Sequence, residues 1–591
     1  MKKLVAALVA FAITGACLYL YLRFFRSPFP ETVFPENTTG YAFLSDVTWG
    51  RRGLEKTSLW EQIGKSPRKK SYIRQLDRAV GALENITGVN LRPLFQQFTR
   101  DVALGFFPAK DGAPHAAFVA YVSDESDAQR IIEREMDPAL RRRIPDLQKQ
   151  QVPYGKDTYY KYSSSTYKSL ALCYLFAAHH WILSGSEEGI RALLDVRHKK
   201  GGPLKGNRLF INAKKAVHFR YGLLFYLDAQ NALRMIKSSM SPAVVRIWPA
   251  LVKITGADAL QSLSYSVGVE NEGFLEEGFL AVKRERQGLL KIFLEQKPRR
   301  LDSVSALPLE SKVFRSGTLS DFGKMWDEVN AQLSTVLSRD QYERWQKVLD
   351  AARGLFNFDI RRDLLEPIGQ EFGFSYEISE KGLSDPSNMK YLLVLHLRNP
   401  NRFRETLDRF LSLAALRGTS RKQEEYEGRK IQVLQLEVGQ LSISPAFYLE
   451  DSWAYFSTNS SFLKKSIDAR MQNKNIQSVP DYQRVTKGFP EEVNGLSYTD
   501  VQAYFQMYAS LLEHQAGNPA NRWIQEYGLE AEFADLGKNL FGSASYTKIH
   551  DQGMFIHTYS SVPTSFLALP VLVSKVPQIL EGWQNEEEIE N

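Results

Sequence analysis

Residues 171 to 195, ALCYLFAAHHWILSGSEEGIRALLD, lie without a gap over residues 444 to 468, SPAFYLEDSWAYFSTNSSFLKKSID. Each stretch reads as a strand, a turn, a second strand containing Trp181 or Tyr455, and a helix opening after Ser184 or Ser457. Four further matches flank this one in the same chain order, at offsets of about 270 to 275 residues. Leu44-Ser45-Asp46 recurs as Leu319-Ser320-Asp321, and Val89-Asn90-Leu91-Arg92 as Phe358-Asp359-Ile360-Arg361. Ala120-Tyr121-Val122 recurs as Leu395-His396-Leu397, each ahead of a helical stripe: Ala128, Ile132 and Met136 in one, Phe403, Leu407 and Leu411 in the other. Tyr226, Asp228, Gln230 and Met235 are matched by Tyr498, Asp500, Gln502 and Met507.

Ordered matches at a nearly fixed offset point to an internal duplication. The first copy runs over residues 28–300 and the second over 301–563, with Lys297-Pro298-Arg299-Arg300 at the junction and 564–591 as an apolar segment with an acidic tail. Within a copy the pattern is strand, helical hairpin, strands, helix, strands, helix and a closing hairpin. In the second copy Phe322, Met325, Trp326, Val329, Leu333 and Val336 form one helical stripe, and Tyr342, Trp345, Val348, Leu349, Ala352 and Leu355 another. Glu270-Asn271-Glu272-Gly273 and His550-Asp551-Gln552-Gly553 join the closing strands. The expected fold is therefore α+β: an N-terminal transmembrane helix, then two homologous α+β units of mostly antiparallel sheet with packed helices.

The transmembrane expectation comes from residues 1–27. Lys2 and Lys3 precede the uncharged run Leu4 to Leu22, and Arg23 and Arg26 end it. Its 19 residues approach the ~20 that span a bilayer, and exceed the apolar core of a cleaved signal peptide. An uncleaved signal anchor follows, with the bulk of the chain in the periplasm of a single-pass inner-membrane protein. Thr14-Gly15-Ala16-Cys17 offers a lipoprotein reading as the alternative. Ser565 to Leu580 reads as a docked terminal helix or an interfacial segment.

Composition narrows the function classes. A formal charge of +8 over 591 residues is too dilute to argue for nucleic acid. Two cysteines, Cys17 and Cys173, leave the body of the chain without an internal disulfide and exclude a zinc site built on paired thiolates.

The stretch Asp359-Ile360-Arg361-Arg362-Asp363-Leu364-Leu365 to Gly369 before a strand, and Tyr498-x-Asp500 before a helix, resemble an uncharacterised DUF-type family of membrane-anchored bacterial envelope proteins. The resemblance covers most of residues 35 to 560, and the first copy departs from it with Pro93 and Leu94 where the second has Arg362 and Asp363. It implies an extracytoplasmic location and carries no activity or catalytic residues.

The chemical motifs are sparse. Lys199-Lys200-Gly201-Gly202-Pro203-Leu204-Lys205-Gly206 lacks the spacing of a nucleotide phosphate loop. It reads as a solvated loop, with lipid phosphate as the functional alternative. Ser165-Thr166-Tyr167-Lys168 and Ser461-Phe462-Leu463-Lys464 match Ser-x-x-Lys, without the accompanying Lys-Thr-Gly of serine acyl enzymes. His550 and His557 flank a hairpin across which they could face each other, and His179 and His180 read as neighbours on opposite faces of a strand. Asp228 and Asp500 each sit between a strand and a helix, the place of an N-cap. The alternative is a coupled carboxylate pair.

No catalytic, cofactor or metal-binding residue is assigned, and no cofactor is expected. The leading expectation is a non-enzymatic interaction or scaffold protein of the envelope, with the membrane and another envelope protein as partners. A carrier or sensor for lipid or another apolar ligand stands second, on 35 Phe, 27 Tyr and 9 Trp in an enclosing fold. An envelope hydrolase stands third.

Overall fold

The computed structural model describes residues 30–66, 93, 96–108, 114–167, 171–217, 222–238, 240–378, 389–415, 420–438, 441–516, 534–565 and 567. The chain divides into two compact units, Met1–Arg51 with Ile73–Met235, and Arg52–Tyr72 with Ile236–Asn591.

The first unit is organised by eight strands: β1 (Gly40–Leu44), β2 (Phe98–Pro108), β3 (Pro114–Val122), β4 (Gln148–Tyr154), β5 (Asp157–Ser163), β6 (Ala171–Ala177), β7 (His180–Ser184) and β8 (Gly222–Asp228). Every ladder between them is antiparallel, and the order across the sheet is β8-β1-β2-β3-β7-β6-β5-β4. Alternation decides which side is covered. Tyr41 and Phe43 of β1, Phe107 of β2 and Tyr226 of β8 are buried, and Tyr41 meets Phe34 and Phe210 edge to face at 5.4 and 5.5 Å. Helices α1 (Glu187–Arg197) and α2 (Arg208–Ala216) follow β7 and precede β8. Ile190, Leu193 and Leu194 of α1 and Phe210 of α2 are buried.

The second unit carries β9 (Leu260–Glu270), β10 (Gly273–Val282), β11 (Val313–Thr318), β12 (Ile368–Glu377), β13 (Lys390–Leu397), β14 (Ser420–Tyr426), β15 (Arg429–Val438), β16 (Leu441–Ile443), β17 (Ala446–Glu450), β18 (Trp453–Ser457), β19 (Gly495–Thr499), β20 (Ser543–His550) and β21 (Gly553–Ser560). Its antiparallel order is β9-β10-β21-β20-β19-β11-β12-β13-β18-β17-β15-β14, with β16 on the far end of β15. From β19 to β14 this is the strand order of the first unit. The β9–β10 hairpin joins β21 through eight register pairs from Phe274↔Ser560 to Ala281↔Gly553.

Helices α3 (Phe322–Val336) and α4 (Arg339–Phe356) form the expected hairpin. Ser338 between them makes a reciprocal capping box with Gln341, and Trp345 Nε1 donates to Asn330 Oδ1 at 2.9 Å. Helices α5 (Pro400–Ala415), α6 (Ser460–Gln472) and α7 (Val501–Ala516) follow in the same unit. Phe462, Leu463 and Ile467 of α6 enter a core with Phe314, Leu392, Val394, Ile431, Tyr455 and Tyr498.

The α+β expectation, with a transmembrane helix ahead of two homologous α+β units, is corrected. The described chain is an antiparallel β architecture of 21 strands with flanking helices. No helix among the described residues is long and apolar enough to cross a membrane. Leu4 to Leu22, where the span was expected, lies outside the described residues, as do Cys17 and residues 568–591. The physical reason is range. Helical periodicity is a local signal, whereas sheet growth depends on pairs such as Glu277 and His557, 280 residues apart.

Candidate apolar binding groove

The most sharply defined chemical environment lies in the second unit, on the sheet face opposite α6. Cross-strand partners share a face, so the registers Phe374↔Leu393, Leu393↔Phe456 and Phe447↔Phe456 set four apolar side chains in one row. Helix α5 begins after Asn399, whose Oδ1 accepts the Arg402 N–H at 3.0 Å. Phe403, Leu407 and Leu411 recur every four residues and so occupy one face of it. Phe403 is buried with Leu397 and Ala454, and anchors the helix. Leu407 and Leu411, one and two turns on, overhang the row with Leu434 and Pro445, enclosing about 370 Å³.

The lining is aliphatic and aromatic apart from Tyr391, Ser457 and Thr458. Those three are already hydrogen-bonded. Ser457 donates to the Tyr391 carbonyl at 2.7 Å, Thr458 Oγ1 accepts the Tyr391 N–H at 3.0 Å, and the Tyr391 hydroxyl lies 3.3 Å from Met389 Sδ. Water in such a groove gains few hydrogen bonds, so an apolar occupant is favoured.

The Asp359-to-Gly369 stretch holds the helical wall in place. Asp359 caps the turn Ile360–Leu365, accepting the Arg362 N–H at 2.9 Å. Asp363 is fully buried. Its carboxylate accepts the Asp359 N–H at 2.8 Å, Arg362 Nε at 3.0 Å and Arg402 Nε at 2.8 Å, with Arg409 at 3.6 Å. Its carbonyl accepts the Thr406 hydroxyl at 2.9 Å. Arg402, Thr406 and Arg409 all belong to α5, so one residue, through its carboxylate and its carbonyl, fixes the helix that overhangs the groove. Burial alone would raise its pKa; the bonds from Arg362, the Asp359 N–H and Arg402 outweigh that and bring it down to about 2. Gly369 is needed for close approach, since a Cβ there would sit 2.0 Å from His396 Nδ1.

The residues singled out from sequence take other roles. Asp228 accepts the Asn231 N–H at 2.9 Å and Asp500 the Ala503 N–H at 2.9 Å; both are caps, in different units. Asp500 also receives Lys312 at 2.9 Å. Ser461 donates to Asn459 Oδ1 at 2.6 Å while Lys464 is bound to Glu424 at 2.8 Å, so the serine and lysine act separately. Ser165 donates to Asp146 at 2.6 Å, and Lys168 lies outside the described residues.

Two histidine expectations are corrected. His179 belongs to a two-residue turn with Ala178, both at positive φ (61° and 53°), the backbone a tight hairpin requires; only His180 lies in a strand. Across the β20–β21 hairpin His557 pairs with Tyr546 and His550 with Gly553, so the two imidazoles are not partners. His557 Nδ1 lies 3.1 Å from the buried Glu277. Burial pushes the Cys173 thiol up to about 11, which makes it a poor nucleophile. No metal-ligating cluster occurs among the described residues.

The basic loop borders a second cleft, of about 590 Å³, in the first unit, whose walls carry His115, Tyr154, Glu188, Arg191 and Lys200. Lys200 is 3.7 Å from Asp195 and Arg191 binds Glu187, so the cations are largely answered by acids. Sequence reading missed one contact here. The Ser186 hydroxyl lies 2.7 Å from His115 Nδ1, and His115 Nε2 is 3.4 Å from Glu188. Ser186 is the cap of α1, accepting the Gly189 N–H at 3.0 Å. Ser186→Ala is expected to cost about 1 kcal/mol in urea unfolding. Wild-type protein is expected to resist a fluorophosphonate probe; stoichiometric labelling lost in that variant would instead make Ser186 a nucleophile.

The groove was missed because its walls come from six separated elements. The stripe Phe403, Leu407, Leu411 and the two strands within residues 444–468 were visible, but not the pairing that sets these elements side by side.

No curated protein matches the sequence. Among solved structures, crystal form III of TP0453 is 12% identical, covering 46% of this chain and 86% of that one with a TM-score of 0.23. Crystal form I of TP0453 is 11% identical, covering 45% and 83% with a TM-score of 0.21. A likeness of that size carries no argument. Residues 379–565, which include α5 and most of the groove, match the family model described as "Protein of unknown function (DUF3352)".

Proposed function

We propose that this protein is a non-enzymatic binding protein of the cell envelope that holds an apolar chain in the groove beneath α5. One observation carries the reading: a cavity of about 370 Å³ whose few polar side chains are already hydrogen-bonded, two of them to the Tyr391 backbone. That volume falls at the small end of the ~300–1,000 Å³ of ligand sites, whereas a protein–protein interface draws on about 20–30 residues a side. Twelve of the described residues line this groove. The envelope location rests on the uncharged run Leu4 to Leu22 and its flanking basic residues. The shared strand order of the two units supports a tandem repeat as the origin of the chain.

The test is titration of the protein with cis-parinaric acid, a fluorescent polyene fatty acid. Saturable binding at one equivalent, displaced by palmitate, is expected. Absence of saturable binding would remove the proposal.

A further inference from the structure

Two basic side chains stand cross-strand from groove-lining residues, Arg315 of β11 opposite Phe374 and Arg421 of β14 opposite Leu434, and Arg421 is also ion-paired with α5. Arg421 of β14 is the direct cross-strand partner of Leu434, so the guanidinium stem and the groove-lining leucine project from the same side of the sheet. Its Nε donates to Gln432 Oε1 at 2.7 Å, which aims the planar group along that face. Its remaining ionic partner is Asp408, next to Leu407 on α5, at 3.6 Å. Arg421 and Asp408 are 43% and 53% exposed. An ion pair so exposed and so long is worth little, about 0–1 kcal/mol, and a ligand carboxylate or phosphate that forms two short bonds to a guanidinium competes well with it.

Resting on the apolar-groove reading above, we infer that the natural occupant is a single-chain anionic amphiphile. Its tail lies among Leu393, Leu407, Leu411 and Phe456, and its carboxylate or phosphate exchanges with Asp408 on Arg421. The arrangement divides the work: the groove supplies affinity in proportion to apolar area, and Arg421 selects the headgroup.

The experiment measures binding of palmitate, hexadecyl phosphate and hexadecanol, each below its aggregation concentration, to the full chain and to Arg421→Gln. The wild-type protein is expected to bind one or both anionic ligands at least tenfold more tightly than the alcohol, and the carboxylate and phosphate arms identify the headgroup. Arg421→Gln is expected to reduce that preference below threefold while leaving hexadecanol affinity unchanged, which also shows that the variant is folded. Equal wild-type binding of all three ligands, or a preference that survives in the variant, overturns the headgroup assignment and leaves the groove standing. Failure of all three to bind overturns both.

Discussion

Replacing Asp363 with alanine is expected to lower the stability of the second unit by about 3 kcal/mol, toward the low end of the cost of breaking a buried ion pair. The carboxylate is fully buried while Arg402 and Arg409 remain 30% and 33% exposed, so the stranded guanidinium groups regain some water. The same contacts lower the Asp363 pKa from 3.8 to about 2 on folding, which corresponds to a contribution of the same order, about 2.5 kcal/mol. The sign follows from that fall. A carboxylate whose folded pKa is depressed contributes fully above its unfolded value, near 4, and loses the contribution as pH drops toward 2. The stability gap between wild type and Asp363→Ala, measured by urea denaturation, should be constant from pH 7 to pH 5 and narrow below pH 4. A gap under about 1 kcal/mol at pH 7 would mean that Asp363 does not anchor α5.

Leu407→Trp is expected to reduce affinity for cis-parinaric acid by at least tenfold while the protein stays folded. Leu407 projects into the groove and is half-buried. A larger apolar side chain there can fill empty volume before it meets a packed wall, so overpacking should stay within about 1–3 kcal/mol. Unchanged ligand affinity in a folded Leu407→Trp protein would place the binding site elsewhere. Phe403→Ala is a useful contrast. It removes a buried anchor of α5 and should cost about 3–5 kcal/mol, acting on binding through the helix rather than through the cavity.

Local elements were legible where sequence periodicity and turn chemistry agreed. The stripes of Phe322 to Val336 and Tyr342 to Leu355 became α3 and α4, and the Asn271 turn joined β9 to β10, with φ 54° at the asparagine. Architecture was not legible to the same degree. An α+β label follows from counting local patterns, but β10 meets β21 through pairs that no local pattern encodes. The turn at Ala178 and His179 shows a smaller version of the problem: strand, turn and strand were legible, but the positive φ angles are what put His179 in the turn rather than in a strand. The Asp359-to-Gly369 stretch was recognisable as a motif without its reason. The structure supplies that reason in the Asp363 contacts to α5 and the close approach of Gly369 to His396. The groove itself needed the registers of three ladders before Phe374, Leu393, Phe456 and Phe447 became neighbours.

The most direct test of the central claim is native mass spectrometry of the full chain purified gently from its own host, alongside Leu407→Trp prepared in the same way. A stoichiometric apolar adduct on the wild-type protein, recoverable by organic extraction and absent from Leu407→Trp, is the predicted result. A ligand-free wild-type mass under all gentle conditions, or an adduct retained equally by the variant, would contradict it.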